Sequence, residues 1–290
     1  MSPPGRPKGE YRGAQHEGTP MNEVRDARAR ELLAGLDAAR LVPLLSEGDP
    51  AFDLAEAFAT ADALRRLRIV RGERPVGYKI GFTNRGIWDR YGVHAPIWGP
   101  VWDSTLEQVE GDEAKVSLAR FSQPRLEPEI MFGFARAPRA GLSEAELAGC
   151  IAWVAHGYEI VHTHSADWRF KAADTVADFA LHGRLLVGRR VPIAAFADPA
   201  RELAALHVAL LEDGKVIDEG DATIVLDGPL TALRLWVDAM AAQPEQWPIV
   251  AGDIVTTGTI TDAAPMRPGH RFETRLSDPR LPGLALTTQA

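Results

Sequence analysis

The sequence predicts an α+β fold in which a helical N-terminal part leads into a β-rich remainder. Apolar residues before position 75 recur at helical spacing, whereas those after it alternate or form short extended runs bounded by Gly and Pro. Neither a GxGxxG turn nor a phosphate-binding loop occurs, so nothing marks a dinucleotide- or nucleotide-binding parallel sheet. Helices first, then many strands joined by short turns, is the order of segregated layers, not of repeated βαβ units.

Residues 1–22 are rich in Gly, Pro and charge and nearly free of aliphatic side chains. They cannot bury enough surface to offset chain entropy, so they are read as a disordered tail. Residues 23–75 form the helical part, where Leu32, Leu33, Leu36 and Leu41 are spaced for one face. A second helix starts at Asp53, with Glu56 three residues on as in a capping box. It carries Leu54, Phe58, Ala61, Leu64 and Leu67 along one stripe and stops near Gly72.

Residues 76–290 form the β-rich part, expected to make one functional unit with the helices. Val76, Tyr78, Ile80 and Phe82 alternate with Gly77, Lys79 and Gly81, which puts the two sets on opposite strand faces. The segment Leu206–Ile217 is a hairpin with Asp213-Gly214 at its turn. Pro229 opens a helix at its preferred first position, followed by Leu230, Leu233, Trp236, Val237 and Met240 on one side. Gly252–Thr259 reads as a strand running into a glycine turn, and Arg271–Leu276 as a strand after the Pro268-Gly269 turn. No internal repeat is evident.

Composition narrows the function classes. With 290 residues and 46% hydrophobic content the chain can bury a substantial core. A net charge of -8 without a basic patch argues against nucleic acid as a partner. No apolar run is long enough to span a bilayer, and no signal-peptide core precedes the first helix. The single cysteine, Cys150, excludes an intramolecular disulfide and fits a reducing cytoplasm. The expectation is a cytoplasmic protein with a small-molecule partner.

Chemistry concentrates in Arg125-Leu126-Glu127-Pro128-Glu129-Ile130. In a strand Glu127 and Glu129 point to the same face, where like charges repel unless a cation lies between them. Glu159 stands in the next extended apolar stretch. Three carboxylates without Cys or His suit Mg²⁺ or Mn²⁺ rather than Zn²⁺. The same spacing also describes a solvated strand face. Lys79, flanked on its face by two glycines, has room beside it for a ligand as a proton donor or anion clamp; it is equally an ordinary solvent-facing lysine.

Gly252-Asp253-Ile254-Val255-Thr256-Thr257-Gly258-Thr259, followed by Pro268-Gly269, resembles the C-terminal signature of the fumarylacetoacetate hydrolase superfamily. Val76–Thr83, Glu127-Pro128-Glu129, Glu159-Ile160-Val161, Ala166-Asp167-Trp168 and Asp174-Thr175-Val176-Ala177-Asp178 resemble its branch of 2-keto-4-pentenoate hydratases and 4-oxalocrotonate decarboxylases. The matches run in family order from about residue 30 to the C-terminus. The resemblance implies a mixed β-roll core and Mg²⁺ or Mn²⁺ held by Glu127, Glu129 and Glu159. It also implies catalysis assisted by Lys79 and Asp103, with Gly258 and Thr259 beside the substrate. The implied activity is hydration of a 2-hydroxy-2,4-dienoate (2-keto-4-enoate) in aromatic-compound catabolism, with a 2-oxo acid as substrate. Acylpyruvate hydrolysis, oxalocrotonate-type decarboxylation and a non-catalytic partner subunit are the alternatives. A homo-oligomer, and a complex with a decarboxylase or hydratase partner, are also implied.

One segment departs from the branch. Its members usually follow Asp-Thr-Val-Ala-Asp with Asn-Ala-Ser-Ser-Gly or a close variant, whereas this chain has Phe179-Ala180-Leu181-His182-Gly183. Phe179 is therefore expected to shape the substrate site. His182 is either a replacement polar group in catalysis or a structural residue. His162 and His164 share the strand face opposite Glu159, and Trp88, Trp98 and Trp102 are candidates for pocket walls or for core.

Overall fold

The computed structural model describes residues 20–245 and 247–290. The tail expected over residues 1–22 lies outside the described residues as far as position 19, and the chain is already helical from Pro20. Helices α1 (Pro20–Ala38), α2 (Leu45–Gly48) and α3 (Leu54–Val70) form the N-terminal layer. Asp53 caps α3 by accepting from the Glu56 N–H at 3.0 Å. The reciprocal half of the box is not made: the Glu56 carboxylate binds Arg25 and so ties α1 to α3. Leu32 is buried and Leu33 and Leu36 pack on the core, but Leu41 is 50% exposed. Leu41 leaves the helical face because Ala39, at φ 47°, ends the helix before it.

The strands are β1 (Pro75–Gly81), β2 (Ile97–Trp102), β3 (Leu106–Gln108), β4 (Glu113–Ser117), β5 (Arg125–Phe134), β6 (Ile151–Val161) and β7 (His182–Val187). They continue as β8 (Val191–Pro192), β9 (His207–Glu212), β10 (Lys215–Asp221), β11 (Ile254–Thr259), β12 (Ala264–Pro265), β13 (Arg271–Leu276) and β14 (Ala285–Gln289). Between them lie α4 (Trp88–Tyr91), α5 (Glu144–Ala148), α6 (Ala172–Ala177), α7 (Pro199–Ala204) and α8 (Pro229–Ala242). A nine-stranded mixed sheet runs β2-β1-β11-β5-β6-β7-β3, with β12 on β5 and β8 on β6. A five-stranded sheet runs β10-β9-β13-β14-β4.

Leu126, Tyr158, Ile160 and Leu186 from the large sheet meet Leu210, Phe272 and Leu286 from the small one. Each such fully buried aliphatic or aromatic side chain contributes about 1.5–3 kcal/mol. The Tyr158 hydroxyl is satisfied inside that layer by donating to the Leu284 carbonyl at 2.7 Å. A larger cluster joins Tyr78, Ile130, Phe132 and Val255 of the large sheet to α3, α6 and α8. The apolar stripe of α8 is buried as its spacing predicts, and Asp213 (φ 49°) and Gly214 (φ 79°) make the expected hairpin turn.

Four adjacent strands, β1-β11-β5-β6, position the site. Lys79 pairs with Thr256, and Glu127 with Glu159. Gly77 lets β11 approach: a Cβ there would lie 1.8 Å from the Ile254 carbonyl oxygen. Between Thr256, opposite Met131, and Thr259, opposite Glu129, β11 carries one extra residue. That bulge, with Gly258 at φ 107°, turns β11 so that both a side chain and an N–H aim at Glu129.

Candidate metal centre

Ligand oxygens of Glu127, Glu129 and Glu159 lie within 4.8 Å of one another. Glu129 and Glu159 are fully buried and Glu127 half-buried. Glu129 Oε2 accepts from the Thr256 hydroxyl and, at 2.9 Å, from the Gly258 N–H. Glu159 Oε1 lies 2.7 Å from His182 Nδ1, and its Oε2 lies 3.1 Å from Lys79 Nζ. Lys79 is itself buried.

Burial and mutual repulsion govern the titration of this cluster. Burial pushes Glu127 up to about 7, against the opposing charge of Lys79. Burial and the other two carboxylates hold Glu129 well above the usual carboxylate range. Glu159 is also buried, yet Lys79 and His182 together bring it below that range. Burial works to lower Lys79, but the charges of Glu159, Glu127 and Glu129 outweigh it, so its ammonium is kept. His182 is lowered by burial despite its carboxylate partner.

The donor set fits a hard divalent cation. Glu129 Oε1 is a buried oxygen without a hydrogen-bond donor, Glu159 Oε2 has only the Lys79 ammonium at 3.1 Å, and a buried carboxylate oxygen needs a cation or a donor. All-oxygen ligation by carboxylates suits Mg²⁺ or Mn²⁺. The cluster opens into a cleft of about 210 Å³ lined by Lys79, Arg125, Glu127, Trp168, Gly258 and Thr259, among others.

No protein-family model matches the chain. It is 32% identical over 235 residues to a 2-keto-4-pentenoate hydratase of Burkholderia vietnamiensis, covering 81% of this chain and 85% of that one. A 4-oxalocrotonate decarboxylase of a Pseudomonas species is 31% identical over 222 residues, covering 77% of this chain and 82% of that one. The chain belongs to the 2-keto-4-pentenoate hydratase and 4-oxalocrotonate decarboxylase family. The fold agrees: the solved structure of 4-oxalocrotonate decarboxylase from Pseudomonas putida G7, complexed with magnesium and adipate, superposes with a TM-score of 0.84 at 24% identity. That match covers 92% of this chain and 97% of the other.

Within this hydratase/decarboxylase chain the expected site residues separate into two groups. Glu127, Glu129, Glu159 and Lys79 come together, and Gly258 and Thr259 line the cleft beside them. Asp103 does not join them. It lies in the turn after β2, where its carboxylate accepts from the Arg74 N–H and Nε at 2.9 Å each. Phe179 is likewise turned away from the cleft, into a small buried space beside Arg68 and Trp102. Phe179, Ala180 and Leu181 have φ of 56°, 52° and 65°, and this left-handed run presents Ala180 and Leu181 to the cleft instead. His182 lies behind Glu159 and is 2% exposed.

Trp88, Trp98, Trp102, His162 and His164 do not line the cleft. Trp98 packs on Phe58 at 4.7 Å, Trp102 under Arg68 at 4.5 Å, and Trp88 donates to the Phe82 carbonyl. His164 Nδ1 pairs with Asp178 at 2.5 Å, and the ring packs against His162. The sequence pattern did not single out Arg125, Trp168 or Thr256. Arg125 was open to recognition, because it lies two residues before Glu127 and so shares its strand face.

Proposed function

We propose that this chain is a divalent-metal-dependent hydratase that adds water to a 2-hydroxy-2,4-dienoate or its 2-keto-4-enoate tautomer. The observation that carries this reading is the meeting of two buried carboxylates and a half-buried one with a buried ammonium beside one cleft. Mg²⁺ or Mn²⁺ held by Glu127, Glu129 and Glu159 would supply a Lewis acid for negative charge at the substrate's 2-oxygen. Lys79, 3.1 Å from Glu159 and lining the cleft, holds a proton at Nζ and is suited to act as a charge clamp and as the source of a proton for the conjugated chain. Arg125, stacked on Trp168 at 4.2 Å and facing the cleft, is suited to a substrate carboxylate. Phe170, Tyr91 and Leu181 give the cleft an apolar wall against which a planar dienoate can pack.

A second reading has one observation in its favour. Arg90 also lines the cleft, and two guanidinium groups suit a diacid, whose loss of CO₂ would use the same stabilised charge at the 2-oxygen. The experiment is a turnover screen with Mg²⁺ and Mn²⁺ on dienoates, oxalocrotonate-type diacids and acylpyruvates, detecting hydration, CO₂ and pyruvate separately. Hydration of a dienoate as the fastest reaction supports the first reading, and CO₂ release from a diacid as the fastest supports the second. A catalytically silent partner subunit would turn over none of them.

A further inference from the structure

His182, which stands where the family usually has a small polar residue, reaches the metal cluster from behind. Its Nδ1 is 2.7 Å from Glu159 Oε1 and its Nε2 is 2.9 Å from the Thr105 hydroxyl. An ionised carboxylate only accepts, so Nδ1 carries the hydrogen. Nε2 meets the Thr105 hydroxyl, whose own hydrogen is available to it because Thr105 Oγ1 already accepts from a backbone N–H. The Trp102 N–H in turn donates to Thr105 Oγ1 at 3.1 Å. Thr105 has a competing acceptor in the Trp102 carbonyl at 3.2 Å, but its one hydrogen goes to the nearer histidine nitrogen, the acceptor with no other donor. Hydrogen bonds therefore run in one direction, from Trp102 through Thr105 and His182 to Glu159.

We propose that His182 and Thr105 are a positioning pair that makes Glu159 a one-oxygen ligand. Oε1 is engaged by the imidazole, so the oxygen offered to a cation is Oε2, which it would share with the Lys79 ammonium at 3.1 Å. Glu129 is already fixed by Thr256 and Gly258, but without His182 only Lys79 would hold Glu159 against repulsion from the other two carboxylates. A fixed, monodentate Glu159 also leaves coordination positions for a chelating 2-oxo acid. This inference rests on the metal reading of the site, and its test separates the two.

The test is Mn²⁺ binding to the metal-free full chain by calorimetry, with thermal melts of every variant in the absence of metal. His182→Ala should weaken Mn²⁺ binding by about 10–100-fold, the usual effect of removing a partner behind a metal ligand. Thr105→Val, which keeps the shape but removes the donor, should weaken it by a smaller factor. His182→Asn should recover most of the affinity, because its amide N–H takes the place of Nδ1–H. A merely structural role would lower the melting temperature without this ordering of affinities. Variants that bind Mn²⁺ as tightly as the wild type, or an Asn variant no better than Ala, would overturn the proposal. If His182→Ala fails to fold, Thr105→Val decides alone: unchanged affinity overturns the pair and reduced affinity supports it. A wild-type chain that binds no Mn²⁺ overturns the metal reading itself.

Discussion

Glu127 on β5 and Glu159 on β6 are register partners, directly opposite one another across the antiparallel ladder. Opposed like charges on one sheet face destabilise the pair, so this placement persists only with compensating positive charge. Lys79 provides part of it at 3.1 Å from Glu159, and a divalent ion would provide the rest.

Metal binding should therefore displace protons. Burial raises Glu127 to about 7 and holds Glu129 well above its ordinary value, so below that range these groups keep a proton that a cation must expel. Affinity for Mg²⁺ or Mn²⁺ should fall as pH drops through about 7. Calorimetry in two buffers of different ionisation enthalpy should register proton release. An affinity that does not change with pH across that range contradicts the assignment.

Lys79→Met keeps the aliphatic stem and removes the ammonium. Turnover should fall by about 10²-fold or more, the usual range for a group that transfers a proton. Circular dichroism should show the fold retained. Turnover within a few-fold of wild type would give Lys79 a structural role only.

Gly258 and Gly252 form a matched pair for a stability test. Both have positive φ, 107° and 90°, but a Cβ at Gly258 would lie 1.9 Å from Thr83 Oγ1, whereas one at Gly252 meets open space. Gly252→Ala should cost only the left-handed strain of about 1–2 kcal/mol. Gly258→Ala should cost clearly more in denaturant unfolding and weaken metal binding, because it displaces the N–H that holds Glu129. Equal costs would mean that β11 yields without loss at its bulge.

His156 predicts part of the acid limb of stability. Its Nδ1 lies 3.1 Å from the Glu129 carbonyl oxygen and its Nε2 2.7 Å from the Thr274 hydroxyl. Burial pushes it down to about 4. The folded value lies below the unfolded one, so its contribution is fully present above about 6.5 and is lost as pH falls from there to about 4. His156→Gln should remove up to about 1.4 kcal/mol per pH unit from the slope of unfolding free energy in that window. A slope identical to wild type would show that His156 does not set it.

What the sequence made legible was local. The placing of Tyr78 and Ile80 opposite Lys79, the Asp213-Gly214 turn, the stripe of α8 and the Glu127/Glu129 spacing each follow from a local rule and are found in the fold. Phe82, expected beside Tyr78 and Ile80, instead lies past the end of β1 at φ 54° and lines the cleft with Lys79, and Val76 packs in a different cluster from Tyr78 and Ile80. What it concealed depends on how distant segments meet. Asp103 looked available, yet the close of β2 beside β1 gives it to Arg74. Phe179 looked like a pocket residue, but the left-handed run that follows Asp178 turns it into the core. His182 was open between two roles because its partners, Glu159 and Thr105, lie 23 and 77 positions away. The bulge in β11 had only Gly258 as a local sign, and a glycine does not say which strand it serves.

The most direct measurement follows disappearance of a 2-hydroxy-2,4-dienoate by its ultraviolet absorbance, using metal-free wild type and Glu129→Gln in parallel. If Glu127, Glu129 and Glu159 hold the catalytic cation, wild type is inactive in chelator and gains turnover when Mg²⁺ or Mn²⁺ is added in excess. Glu129→Gln then folds but does not recover at the same metal concentration. Wild-type turnover that is the same with chelator as with metal, or a Glu129→Gln variant that recovers fully, would contradict that role for the three carboxylates.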